Sequence, residues 1–328
     1  MTKMQKFVNS MARGTQHTLF VLNGVLGDTL EKNKTGLAVK MALYNTHGPL
    51  NLTKKSLSQC NLPLTGNICI LAHGSCGSEK GWGFKGNKST NYGSLLQKDF
   101  DFTPFFLRYN SGLHISTNGK RLSNLLEKFV LSYPTQINKI ILLGHSMGGL
   151  LFRSACYYGQ KENKTWVGMI KKIFYLGTPH LGTHLEKLGK LTTTILNQIP
   201  NPITKMIVTL GDLRSAGVKD LRHGYLTDED WKGKNADKFF YWHQHKTPLL
   251  KKVDHYLICG TISKVAGSKM GRWFGDGLVH PASGTGSSLF PANAIPFLKK
   301  HCKIIPGISH HRLQTSKQVY QQIKVWCS

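Results

Sequence analysis

Six short runs along the chain are dominated by Ile, Leu, Phe and Tyr: 67–73 (NICILAH), 103–109 (TPFFLRY), 138–144 (NKIILLG), 171–177 (KKIFYLG), 254–260 (DHYLICG) and 301–305 (HCKII). Each stops near a glycine or a polar turn. The apolar positions are continuous rather than alternating, which predicts strands buried on both faces of a parallel sheet. Between the runs the period changes. Residues 119–132 place Leu122, Leu125, Leu126 and Phe129 at helical spacing, 147–160 open with MGGLLFRSACYY, and 315–326 read as a C-terminal amphipathic helix. Strand–helix alternation of this kind predicts an α/β fold: a mostly parallel central sheet, helices on both faces, right-handed crossovers.

Two regions break the alternation. Residues 1–66 precede the first strong strand and read as an N-terminal extension packed on the core. The main domain is then 67–328. Within it, 181–252 separates two strands by far more than a crossover needs and includes NQIPNPITKMIVTLGDL and YLTDEDWKG. An insertion of that length at that place is expected to form a cap or lid over a site.

Composition narrows the reading. Hydrophobic residues make up 40% of 328, enough for a full core. Lys plus Arg number 43 against 16 Asp plus Glu, a net charge of +27. Such an excess favours anionic partners, so peripheral contact with anionic membranes is expected. The basic residues are spread along the chain without a compact block, so specific nucleic-acid binding is not expected. The seven cysteines form no CxxC and no paired zinc spacing, and several sit in strand-like runs, which suits a reducing compartment. The N-terminus lacks a secretory signal pattern, and no apolar run reaches the ~18 residues of a membrane span. The expected location is cytoplasmic or peripheral to a membrane.

The chemistry begins at ILLGHSMGGL, 141–150 with its leading Ile140. A buried strand that ends in G-x-S-x-G and leaves into a helix is a nucleophile elbow, with Ser146 held in a strained turn. Gly144 and Gly148 let strand and helix approach closely. The first helical amide, that of Met147, then points at a developing oxyanion. Upstream, the strand ending in LAHGSCGS (71–78) is placed to give the second oxyanion donor, the amide of Ser75. His73 precedes the elbow and reads as structural. The acid should follow a later strand. Asp276 in GRWFGDGLVHPAS does, whereas Asp254 stands at the wrong end of its strand and Asp228, Glu229 and Asp230 read as a solvated turn or helix cap. The base should come last. His310 and His311 both lie in the loop after the final strand. His310 is preferred because Leu313, three residues on, would anchor the next helix, while His301 lies before the strand. Arg108, Tyr109, Asn110 and the GTPH run at 177–180 read as structural, with His180 at a pocket rim.

The order HG, GHSMGG, LGTPH, GDGLV and SHxxL resembles the α/β-hydrolase superfamily. More closely, the runs RYNSGLHISTNGKRL, GHSMGGLLFRSAC, LGTPHLGTHLEKLG and LRSAGVKDLRHGYLTDEDW resemble bacterial lipase/esterase-like hydrolases related to the PGAP1-like GPI-inositol deacylases, from about residue 23 to the end. The resemblance implies an acyl-ester hydrolase with Ser146 as nucleophile, Asp276 as acid and His310 as base. One departure is Ser75-Cys76, where related chains carry a larger apolar residue after His-Gly. A GPI-anchor substrate is not carried over. The expectation is a serine hydrolase of carboxylic esters, lipid or acyl, working through an acyl-enzyme without metal or organic cofactor. An acyltransferase with the same triad, or a non-catalytic hydrolase-fold module that binds a lipid or partner, would present the same residues.

Overall fold

Every strong apolar run forms a strand, within a residue or two of its expected limits. The structure, a computed structural model, describes residues 16–60, 63–183, 215–233, 245–265, 268–288 and 293–328, without the side chains of Met270 and Arg272. The strands are β1 (Ala42–Tyr44), β2 (Asn67–Ala72), β3 (Thr103–Arg108), β4 (Lys139–His145), β5 (Ile170–Leu176), β6 (Asp254–Thr261) and β7 (Cys302–Pro306). They make one sheet in the order β1-β3-β2-β4-β5-β6-β7. All neighbours are parallel except β1, which runs antiparallel to β3 with Leu43 opposite Leu107.

The continuous apolar runs have the predicted cause. Along β2, Ile68, Ile70 and Ala72 enter one core and Cys69 and Leu71 the other. Both faces are therefore covered, as in parallel sheets generally. Helices α3 (Ile115–Ser132) and α4 (Met147–Lys161) cover the first face through Leu122, Leu126, Phe129, Leu150 and Leu151. On the second face, α2 (Tyr92–Phe100) and α6 (Lys317–Cys327) bring Tyr92, Leu96, Val319 and Ile323. Truncating one such fully buried leucine costs about 2–5 kcal/mol.

The segment ahead of β2 is more closely built in than an appendage. It supplies the edge strand β1 and a helix, α1 (Gln16–Lys32), buried from Phe20 to Gly27. Asn23 Nδ2 donates to Leu37 O and its Oδ1 accepts from Val39 N, which ties α1 to the chain that follows. A Cβ on Gly24 would stand 2.1 Å from Cys76 Sγ, and one on Gly27 1.8 Å from Asn110 Oδ1. The helix thus lies directly on the loops that follow β2 and β3.

The described part of the long insertion rests on the same ground. Helix α5 (Ala216–His223) is fixed to α1 by Ser215 Oγ donating to Gly24 O and by Ala216 N donating to Asp28 Oδ2. Buried Asp220 accepts from Ile115 N and pairs with His114 Nδ1. The Asp228–Trp231 turn is a capped helix, as expected: Thr227 is its N-cap, and Asp230 accepts from the amides of Leu226 and Thr227. Asp230 is nevertheless buried, not solvated. The apolar stretch ITKMIVTL at 203–210 lies outside the described residues. Among the described residues, no helix is long and apolar enough to cross a membrane.

Candidate active site

β4 ends at His145, and the chain turns into α4 through Ser146, whose φ is 53° and ψ −122°. A non-glycine residue in that region carries about 1–3 kcal/mol of strain and persists only where its surroundings hold it. Here they do. Ser146 N donates to Leu176 O at 2.8 Å, and Gly149 N to Ser146 O at 3.1 Å. A Cβ on Gly148 would lie 2.3 Å from Ala72 O, and one on Gly144 2.5 Å from Gly149 N. Both glycines are therefore required for the close approach of β2, β4 and α4.

The residue after Ser146's backbone partner leads to the second half of the site. Gly177 has φ of 60°, and a Cβ there would come within 3.1 Å of Asp276 Oδ2 and 3.2 Å of His310 Nδ1. Those two atoms are 2.8 Å apart. Asp276 sits between Gly275 (φ 59°) and Gly277 (φ 99°) in the loop after β6. Its other oxygen, Oδ1, accepts from Leu278 N at 3.0 Å and Val279 N at 2.7 Å. The carboxylate is thus locked by backbone on one side and offered to the imidazole on the other. His310 N donates to Asp276 O as well, at 2.9 Å. On the far side of the ring, His310 Nε2 is buried and has no hydrogen-bond partner among the described residues. Ser146, Asp276 and His310 are all buried, at 4%, 3% and 5% exposure.

Of the two histidines in the last loop, it is His310 that meets the acid, while His311 is turned outward. Leu313 is fully buried, its O accepts from Tyr92 Oη, and a Gly177 Cβ would meet its Cδ1 at 2.7 Å. These contacts tie the segment after His310 to Tyr92 and Gly177. Asp254 is exposed at the opposite end of β6, and His301 lies ahead of β7 against Tyr256.

The loop after β2 reaches the elbow through Gly74, where a Cβ would touch Ser146 Cβ at 3.0 Å. Cys76 N donates to Ser111 Oγ in the loop after β3 and Gly77 N to Gly74 O, so both are committed, and among the described residues the Ser75 amide is bound in neither way. Met147 opens α4. His73 is structural: it is fully buried, stacks on Tyr109 at 4.4 Å, and its Nδ1 meets Gly74 O. Burial holds it neutral, with its pKa lowered to about 4. Arg108 pairs with Glu79, and Asn110 donates to Gly27 O, so both are scaffold.

Two residues near the site, His145 and Arg153, had not been singled out in the sequence. His145 Nε2 lies 3.0 Å from His310 O, and the rings are 4.9 Å apart. Burial, with His310 beside it, pushes the His145 pKa well below the ordinary histidine value. It steadies the last loop as a neutral ring. On α4, Arg153 is buried, with partners that are neutral groups: His180 Nδ1 at 3.4 Å and Thr247 O and Oγ1 at 3.2 and 3.1 Å. His180 is fully buried against Tyr175 and Phe297 instead of standing at a rim, because Arg153 and these rings enclose it. A cationic residue inside the apolar run LLFRSAC was the available signal for Arg153. Thr178, whose Oγ1 a Gly149 Cβ would meet at 2.0 Å, accounts for the second glycine after Ser146.

A family model described as the PGAP1-like alpha/beta domain matches residues 63–258. No curated protein matches the chain by sequence. Among solved structures, a lipase of Bacillus licheniformis in its mature form superposes with a TM-score of 0.50 at 16% identity, over 88% of this chain and 98% of that one. Lipase B of Aspergillus fumigatus gives 0.46 at 11% identity, over 85% and 54%. A thermophilic esterase from Thermogutta terrifontis gives 0.43 at 15%, over 80% and 90%. The likeness is one of fold: a seven-stranded, mostly parallel sheet flanked by helices, the α/β-hydrolase architecture.

Proposed function

The chain belongs to the PGAP1-like alpha/beta domain family, and from that membership we propose that it is a serine hydrolase of carboxylic esters with Ser146, His310 and Asp276 as its triad. The observation that carries the reading is the convergence at Gly177. The elbow serine hangs on Leu176, and the imidazole–carboxylate pair packs on the next residue. Ser146 Oγ attacks the ester carbonyl as its proton passes to His310 Nε2. Asp276 holds the Nδ1–H tautomer and faces the positive charge the ring acquires. The amides of Met147 and Ser75 receive the oxyanion, each such donor being worth about 3–4 kcal/mol of barrier. The tetrahedral intermediate collapses, His310 returns the proton to the leaving alkoxide, and the acyl group stays on Ser146. Water, deprotonated by His310, then repeats the sequence and frees the acid. In that second half the proton comes from water and passes through His310 to Ser146 Oγ as the acyl–oxygen bond to the serine breaks.

We assign lipid or other acyl esters as the substrate class, since a protein of net charge +27 gathers at anionic surfaces. Insertion 181–252 is taken as the cap of that site. The test is hydrolysis of p-nitrophenyl esters from acetate to palmitate, beside Ser146→Ala. Activity that falls at least ~10⁴-fold in the variant supports the reading, and the chain-length profile separates esterase from lipase. A folded wild-type protein inert on every ester would move the assignment to a binding module.

A further inference from the structure

Four of the eight exposed large apolar side chains among the described residues, the most exposed of all included, fall within thirteen residues of one another. Ile262 (44%), Val265 (67%), Trp273 (76%) and Phe274 (54%) all belong to the connection between β6 and Asp276. A single exposed leucine on a soluble protein needs no explanation, whereas an apolar group this concentrated marks an interaction surface. The backbone beneath it is well fixed. Ile262 N donates to Gly275 O at 2.8 Å, and Gly307 N to Ser263 O at 2.8 Å. Ser268 Oγ caps the Lys269–Phe274 helix by accepting from Gly271 N at 3.0 Å. These bonds hold Trp273 and Phe274 outward immediately before the acid loop, with Ile262 Cγ2 3.7 Å from where a Gly277 Cβ would be.

Charge identifies what such a surface would meet. Lys264 and Lys269 flank the apolar residues, are exposed, and take part in no ion pair among the described residues. Over the whole stretch His255–Ser328 there are nine lysines and arginines, and the one carboxylate side chain is Asp276, which is buried. A protein partner with an apolar patch would gain little from this one-signed rim. A surface that is apolar below and anionic above meets both features at once: tryptophan settles at the level of lipid headgroups, and nearby lysines are drawn to an anionic leaflet.

We propose that Ile262, Val265, Trp273 and Phe274, framed by Lys264 and Lys269, form the surface by which this protein docks on an anionic lipid bilayer. Docked there, the Asp276 side of the site stands against the membrane, and a lipid ester enters from it. That last consequence rests on the ester-hydrolase reading. The docking itself does not.

The test uses the full chain carrying Ser146→Ala, so that turnover cannot alter the vesicles and the outcome does not depend on ester cleavage. Sedimentation with vesicles of 30% phosphatidylglycerol in phosphatidylcholine is compared with pure phosphatidylcholine, roughly the contrast that surface charge requires. We expect binding about 10-fold tighter to the anionic vesicles, weakened by salt. Adding Val265→Ser and Trp273→Ser should reduce it by about another 10-fold or more with Tm unchanged. Trp273→Phe, which keeps the apolar bulk, should bind within about 3-fold but lose most of the blue shift in tryptophan emission. Equal binding by the serine variant, no preference for anionic vesicles, or a patch-dependent dimer that ignores vesicles would each overturn the proposal.

Discussion

His310 and His180 are both buried, both follow the C-terminal end of a strand, and both leave Nε2 without a hydrogen-bond partner among the described residues. They differ in what Nδ1 meets. For His310 it is the Asp276 carboxylate at 2.8 Å, and for His180 the Arg153 guanidinium at 3.4 Å. A proton arriving on His310 faces a negative charge that the backbone already holds in place. A proton arriving on His180 would face a buried cation, and burial together with Arg153 sets its pKa well below the ordinary value. Burial and an unpartnered nitrogen do not by themselves make a general base. In the proposed triad, the sign of the charge behind the ring is what sets His310 apart.

Substitution separates the two rings most sharply. His310→Ala and Asp276→Asn should each lower kcat on a soluble ester by about 10³–10⁴-fold, the second while keeping the loop's shape, since it presents the wrong tautomer. His180→Ala should leave kcat within a few-fold and instead cost on the order of 2–4 kcal/mol of stability, read by urea unfolding, because it opens a cavity beside Arg153. If His180→Ala abolished turnover while His310→Ala did not, the two roles would have been assigned the wrong way round.

Acid offers a second, smaller separation. His73 and His255 are held neutral chiefly by burial, both with pKa lowered to about 4. Unfolded, each binds a proton near pH 6.5, so between pH 6.5 and 4 the unfolded state carries more protons and stability falls as pH falls. The slope is up to about 1.4 kcal/mol per pH unit for each histidine. Urea midpoints at pH 7, 5.5 and 4.5 should fall in that order, and His255→Gln should flatten the trend. A midpoint independent of pH over this window would mean these rings are not held neutral.

The smallest effect is expected at His311. It is outside the Asp276 bond and turned outward, so His311→Ala should change kcat by less than about 3-fold in the p-nitrophenyl ester assay. A loss matching that of His310→Ala would show that the two neighbours share the proton.

How far these features could be read from the sequence follows from what each depends on. The six parallel strands were legible because burial on both faces writes a continuous apolar run, and Ser146 because a strand, two glycines and a helix leave one place for it. Asp276 and His310 followed from strand order, with Leu313 choosing between adjacent histidines. β1 has three residues at the edge of the sheet, too few to write a pattern. α1 is buried along most of its length, between the loops after β2 and β3, and therefore lacks the polar face that marks a helix. His180 was misplaced at a rim because nothing local announces that Arg153, 27 residues earlier, closes over it. The apolar residues of 262–274 were overlooked for a related reason: an exposed tryptophan and a buried one look the same in a sequence.

Every step proposed for this site depends on Ser146 being a nucleophile activated by His310. The most direct measurement is reaction of the folded protein with a fluorophosphonate, followed by intact mass and peptide mapping, with His310→Ala in parallel. The predicted result is one adduct per chain, on Ser146, forming at least ~10³-fold more slowly in the variant. A folded protein that takes up no label, or takes it on another residue at a rate His310→Ala does not change, would contradict it.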